Sequence, residues 1–485
     1  MIIVPSLVRR VLYCLLFPAI LALPTGTLPA GDGASTVRHE VTLRSLEEKQ
    51  LPLSPQRPGP DDRFKADILV FVAHPDDETE VSAYLAKAIY DEHRRVAVIF
   101  GTRGDGGGNA MGFEQAASLG AVREIEARRA CAYLGIENVW FLDGPDTPDQ
   151  DVLHSLETWN HGAALGKAVR LMRLTRPEVV MTWLPDYVAG ENHADHQAAG
   201  VIATEAFDLA GDPTKFPEQV SYPRDRLNIG NLSEGLRPWQ SKKIYYFSDA
   251  SHHEFLEGQG PEYSTTAISP ARQMPYYRIA AEEMAYHLTQ GDTGQEAQKA
   301  LATGQFQPFE QPVRIILGKS LVGGTTTGDI FESVSIGSIP FAPVRGFQPI
   351  IHTGLSLELG GPWQFYRDFW KAHNIDHLAQ LLPIPEVSMQ AGATLHIPLL
   401  MFNDLAEPSE LTLSVDLPPG WTEKNGSARY PVGAHEVYPI EAAVSLSNSK
   451  GQKWQVITWK AEAKGKTIAP IKMRVNVTED GGLPQ

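Results

Sequence analysis

The strongest constraint on the fold is a run of five apolar residues, Ile68, Leu69, Val70, Phe71 and Val72, with no polar residue among them. A strand with one wet face alternates apolar and polar residues. A strand without alternation is covered on both faces, as in a parallel sheet flanked by helices. The segments that follow keep to this pattern. Residues 80–91 read as a helix and 95–100 as a strand. Residues 113–134 form a long helix with Ala127, Ala130, Cys131 and Leu134 on one face and Gly135 as its stop. Residues 139–142 read as a strand, 163–174 as a helix, 179–184 as a strand ended by Pro185, and 195–210 as a helix closed by Gly211. Alternating strands and helices imply a parallel sheet with right-handed crossovers. The expected fold class is α/β, a Rossmann-like, mostly parallel sheet with helices on both faces.

The pattern changes late in the chain. Leu411, Leu413, Val415 and Leu417 alternate with Thr412, Ser414 and Asp416, the signature of a half-buried strand. Residues 394–402, 435–446, 454–463 and 468–477 behave alike, and turns such as Pro418-Pro419-Gly420 separate them. These short strands predict an all-β, immunoglobulin-like sandwich over residues 386–478. Its Trp421, Trp454 and Trp459 suit either a core or a sugar-stacking face. The α/β domain is expected over residues 62–305, and residues 306–385 connect the two without an assignable pattern.

At the other end, Arg9 and Arg10 precede an apolar stretch over residues 11–23 and small residues leading to Ala30. This reads as an export signal over residues 1–30, shorter than the ~20 apolar residues a membrane span needs. The expectation is a secreted or periplasmic protein with no membrane span once the signal is removed. A linker with Pro52, Pro55, Pro58 and Pro60 covers residues 31–61. Loss of the signal leaves Cys131 alone, so neither an intrachain disulfide nor a cysteine zinc site can form. Any metal must be held by histidine and carboxylate. The net charge of −16 repels phosphate backbones and argues against general nucleic-acid binding.

Chemistry concentrates in two clusters. Ala73-His74-Pro75-Asp76-Asp77-Glu78 follows the first apolar run directly. It therefore sits at a strand's carboxyl end, where open parallel sheets bind ligands. A helix N-terminus also favours Asp and Glu, so this cluster alone is ambiguous. A partner decides between the readings. Glu191-Asn192-His193-Ala194-Asp195-His196 follows another apolar strand, and His193 and His196 stand three residues apart on one side of a helical first turn. Together the clusters offer the two histidines and one carboxylate of an open catalytic zinc site, a donor set that also suits other divalent metals.

These residues resemble the PIG-L/LmbE-like family of zinc-dependent N-acetylglucosaminyl deacetylases. The resemblance covers residues 64–290 and extends to Thr102-Arg103-Gly104-Asp105-Gly106, Arg123-Glu124-Ile125-Glu126-Ala127, Leu134-Gly135 and Phe141-Leu142-Asp143. It implies His74, Asp77 and His196 as zinc ligands and Asp76 as general base. It also implies His193 as oxyanion stabiliser and Asp195 as the residue that orients an imidazole, although Asp195 fits a plain helix cap equally well. The family's second motif usually reads His-Pro-Asp-His, and here Ala194 takes the proline's place. The implied reaction removes an N-acetyl group from an N-acetylated sugar or glycoconjugate. The open alternatives are an amidase for another acylated amino compound and a carbohydrate-binding protein with a relic hydrolase domain.

The segment Gly104-Asp105-Gly106-Gly107-Gly108-Asn109 lacks the GxGxxG spacing of a dinucleotide cradle. It reads as a substrate loop in which Arg103 and Asp105 hydrogen-bond hydroxyls, or as a plain tight turn. His252-His253-Glu254 suits a second metal cluster less well than an exposed loop, and His287 is expected to be structural. The sequence holds no GxSxG, P-loop or HExxH motif, which removes the serine hydrolase, NTPase and zincin readings. Oligomeric state is not legible.

Overall fold

A computed structural model of the 485-residue chain describes residues 59–186, 193–220, 234–249, 254–291, 293–381, 384–446 and 454–478. The expected export signal, the linker up to residue 58, and His252 and His253 lie outside the described residues. Among the described residues no helix is long and apolar enough to cross a membrane.

The first sheet is built from β1 (Ile68–Val72), β2 (Val96–Phe100), β3 (Asn138–Phe141), β4 (Val179–Trp183) and β5 (Lys243–Phe247). Two short strands, β6 (Glu262–Tyr263) and β7 (Val313–Arg314), pair with each other, and β8 (Ile316–Ser320) then completes the first sheet. Its order is β3-β2-β1-β4-β5-β8. The first five strands run parallel, and β8 closes the edge antiparallel to β5. Every residue of β1, β2, β4 and β5 is buried, Thr182 of β4 and Lys243 of β5 included, so both faces are covered as the unbroken apolar runs of β1 and β2 require.

The helices between the strands are α1 (Thr79–Ala86), α2 (Ala117–Leu134), α3 (Val152–Thr158), α4 (His161–Thr175) and α5 (Ala194–Leu209). After β5 come α6 (Tyr276–Met284) and α7 (Thr293–Thr303). Helix α2 starts four residues later than its apolar pattern suggests. Ala116 takes φ 48°, outside the helical region, and Phe113 is left 99% exposed. Gly135 ends α2 in the left-handed conformation expected of a helix-stopping glycine.

The strand order positions the site. From β1 the chain steps to β2 and β3 on one side, then returns to lay β4 on the other. The crevice between the carboxyl ends of β1 and β4 is thus the topological switch point of the sheet. One glycine makes the approach of α5 to β4 possible. A Cβ on Gly200 would stand 2.3 Å from the Trp183 carbonyl oxygen.

The late chain is β-rich. Its elements are β9 (Leu355–Leu359), α8 (Pro362–Ala372), β10 (Glu386–Gln390), β11 (Thr394–Asn403), β12 (Ser409–Asp416), β13 (Trp421–Asn425), β14 (Ala428–Val432), β15 (Glu436–Leu446), β16 (Trp454–Ala463), β17 (Lys466–Thr467) and β18 (Ile471–Thr478). One sheet has the order β10-β18-β16-β12-β14 and the other β13-β15-β11-β9. The connecting region thus gives β8 to the first sheet and β9 to one of the later ones. Helix α8 ties the regions together, since Trp370 Nε1 donates to the Pro185 carbonyl at 3.2 Å and the Tyr366 hydroxyl bonds Gln197. Trp459 and Trp421 are buried and belong to the core, while half-buried Trp454 packs beside the Arg474 guanidinium.

Candidate metal centre

His74 follows β1, and its loop is wound tightly around Asp77. The Asp77 Oδ2 accepts hydrogen bonds from the backbone N–H of Ala73 at 2.8 Å, the N–H of His74 at 2.9 Å and the Trp183 indole at 2.6 Å. That leaves Oδ1 to face the imidazoles. It lies 3.3 Å from His196 Nε2 and 3.6 Å from His74 Nδ1. These separations are long for charge-assisted hydrogen bonds. They match donors bound to one tetrahedral zinc-sized ion, which stand about 3.4 Å apart. His196 is held by stacking on Trp183, with ring centres 4.1 Å apart and planes 11° off parallel.

His193 is the N-cap of α5, its ring centred 4.3 Å from His196 and 4.9 Å from His74. The Nδ1 of His193 is buried without a hydrogen-bond partner, and that of His196 points away from Asp77 toward Asp249, 3.7 Å away. Two donor sets meet at His74. Donor atoms of His74, His193 and His196 lie within 4.8 Å of one another, as do those of His74, Asp146 and Asp195. The first set together with Asp77 fits an ion of zinc's size and chemistry.

Asp76 is the strained residue of the loop. Its φ of 116° lies in a region that L-residues rarely adopt. Its N–H donates to Glu78 Oε2 at 3.1 Å, and its Oδ2 accepts a long bond of 3.4 Å from the Thr293 hydroxyl. Burial, then the adjacent Asp77 carboxylate, push its carboxyl up to about 8. For Asp77 burial acts in the same direction, but the His196 and His74 imidazoles outweigh it and hold the carboxyl well below the usual range. Burial, with His196 and His74 beside it, holds His193 well below an ordinary imidazole.

Asp195 is fully buried. It accepts from the Thr147 N–H at 2.7 Å, the Ser155 hydroxyl at 2.6 Å and the Thr147 hydroxyl, and it lies 3.5 Å from His74 Nε2. The direct partner of that nitrogen is Asp146, at 3.1 Å, a residue the sequence reading passed over. Arg103 and Asp105 are not drawn into the cluster. Arg103 pairs with Glu124, Nε to carboxylate 2.7 Å, and with Asp143. No hydrogen bond among the described residues joins either side chain to the imidazoles. The glycine-rich loop is instead pinned from beneath by buried Arg123, which donates to the carbonyls of Gly104 and Gly108 at 2.6 Å each and of Thr289 at 3.2 Å.

A model of the PIG-L family, described as GlcNAc-PI de-N-acetylase, matches residues 69–207, the stretch from β1 to α5 that carries every residue of the cluster. The chain carries a PIG-L domain. This PIG-L domain is 31% identical over 166 residues to the 1D-myo-inositol 2-acetamido-2-deoxy-alpha-D-glucopyranoside deacetylase of Geodermatophilus obscurus, covering 31% of this chain and 56% of that one. With the protein of the same description from Thermobifida fusca the identity is 28% over 193 residues, covering 37% and 60%. The match spans little more than half the length of these curated relatives. Among solved structures, N,N'-diacetylchitobiose deacetylase from Pyrococcus horikoshii is 16% identical over 52% of this chain and 84% of that one. The TM-score of 0.36 is too low to carry an argument.

Behind the PIG-L loop lies a second buried cluster, Glu78, Glu283 and His287, each with no exposed surface. His287 Nε2 is 2.8 Å from Glu78 Oε1, while both Glu283 oxygens lack a hydrogen-bond partner. His287 braces Glu78, the residue that receives the Asp76 N–H. Burial is the largest influence on Glu283 and raises its carboxyl to about 7 from 4.5. A carboxyl raised on folding contributes its full stability below the unfolded value and loses it as pH climbs through the folded one. The protein is expected to lose on the order of 1–3 kcal/mol between those two values through this group. Glu283→Gln is expected to remove that loss. Denaturant unfolding at about pH 5 and about pH 8 checks it. An identical pH dependence in the two proteins contradicts it.

Proposed function

We propose that the chain is a zinc-dependent amidase that removes the acetyl group from an N-acetylglucosamine-type sugar or glycoconjugate. The observation that carries this reading is Asp77, with one oxygen fixed by three donors and the other held 3.3 and 3.6 Å from two imidazoles. His74, Asp77 and His196 hold the metal. When bound it polarises the amide carbonyl and lowers the pKa of water, chemistry that other divalent ions at this donor set also supply.

The remaining steps belong to the chain's own residues. Asp76 takes a proton from the attacking water and returns it to the departing amine. His193 donates an N–H to the oxygen on which charge develops; comparable donors contribute about 3 kcal/mol. Asp195, with Asp146, fixes the orientation of the His74 ring. Asp105 and Arg103 are proposed to meet sugar hydroxyls at the mouth, Arg103 through donors left over from its two carboxylate partners. Relatives described as deacetylases of an acetamido-glucopyranoside support the sugar. The signal-like N-terminus supports a secreted or periplasmic site of action. Two late sheets with alternating burial support an immunoglobulin-type domain.

A binding protein with a relic domain has no use for a strained, buried Asp76. An amidase for another acylated amine differs only in what fills the mouth. Acetate release from N-acetylglucosamine, its oligomers and N-acetylated amino acids separates these readings. Release from the sugars alone is expected. Release from the amino acids alone would overturn the sugar assignment, and release from none would overturn the hydrolase.

A further inference from the structure

The β-rich part of the chain borders an open cavity of about 430 Å³, within the size range of small-molecule sites. Its wall is assembled from residues 347–352, the strand end at Glu358 with helix α8, residues 402–404 and residues 435–437. One side carries a pair of aromatic rings. The His352 ring stacks on Phe402 with centres 3.7 Å apart and planes 19° off parallel. The imidazole is fixed there, because Nδ1 lies 2.9 Å from Glu358, whose other oxygen is 3.2 Å from Arg367.

Two further features call for an occupant. Phe347 is 65% and Ile351 87% exposed on this same wall, apolar surface that a bound ring would remove from water. The Arg367 side chain is 33% exposed at the same wall, and its guanidinium offers further N–H donors to an occupant. Asp368, Asp404 and Glu436 add carboxylates to the lining.

This combination selects the ligand. A wholly apolar molecule would bury the carboxylates uncompensated, and an anion would be repelled by them. A pyranose presents a C–H face to a flat π surface, while hydroxyls around its edge both donate to carboxylates and accept from guanidinium. The acidic surplus further favours a sugar chain that bears free amines.

We propose that this cavity is a pyranose-binding subsite, separate from the His74 centre, that holds the glycan against the His352 ring, which Phe402 backs, with Arg367 and Asp368 as hydroxyl partners. The subsite rests on the reading of the substrate as a sugar. Calorimetry with the glucosamine pentamer, which has no acetyl group to lose, tests it on the full chain. The unsubstituted protein is expected to bind the pentamer with and without chelator, which distinguishes this site from the His74 centre. His352→Ala and the isosteric Asp368→Asn are each expected to weaken binding at least about tenfold. Neither belongs to the His74 centre, so acetate release from a monosaccharide should stay unchanged in both. Absence of pentamer binding, or binding that survives both substitutions, overturns the subsite. Loss of pentamer binding in the variants of a protein that releases acetate from no sugar upholds the subsite and overturns the reaction instead.

Discussion

Asp76→Gly is expected to yield a more stable and nearly inactive protein. At φ 116° an aspartate stores strain of about 1–3 kcal/mol, whereas glycine occupies that region freely. The added freedom of the unfolded glycine chain returns about 0.5–1 kcal/mol of the gain. The net stabilisation is about 0.5–2 kcal/mol by urea unfolding of metal-free protein. Turnover moves the other way. Loss of the proton-transferring carboxylate is expected to lower kcat about 10²–10⁴-fold. A variant that is less stable, or that keeps activity within about tenfold of the original, contradicts the role given to Asp76.

Substitutions at Asp77 separate folding from metal binding. In Asp77→Ala the N–H groups of Ala73 and His74 and the Trp183 indole lose their acceptor together. Each orphaned donor costs about 1–3 kcal/mol, so a total of about 3–6 kcal/mol is expected after partial relaxation. Asp77→Asn keeps an oxygen for those three donors but turns an amide N–H₂ toward the two imidazoles. It is expected to fold within about 2 kcal/mol of the original and to bind no zinc. Unfolding of metal-free protein beside elemental analysis after zinc loading checks both. Equal zinc content in Asp77→Asn and the original protein contradicts the assignment of Asp77 as a ligand.

Much of the fold was legible because the central strands are unbroken apolar runs, and period alone distinguishes them from the helices between. The two histidine clusters were legible because each follows such a run, and the strand order brings both to one rim. Asp146 was missed although the same rule reaches it. It lies just beyond β3, as Asp249 lies just beyond β5, 3.7 Å from His196 Nδ1. A search of every strand's carboxyl end, in place of the densest motifs, would have found both. The pairing of β8 with β5 was not legible, since it joins residues about seventy positions apart by edge hydrogen bonds that no local pattern encodes. Neither was the Glu78–His287 contact, 209 residues apart. The start of α2 was misread because residues 113–116 continue its composition and fail only in backbone conformation.

The central proposal is that this PIG-L domain deacetylates a sugar by means of a metal held at His74, Asp77 and His196. The most direct test follows acetate release from N-acetylglucosamine oligomers by the protein as isolated, after stripping with a chelator, and after return of zinc. The account predicts release that stops on stripping and recovers with about one zinc per chain. Undiminished release from fully metal-free protein would contradict it.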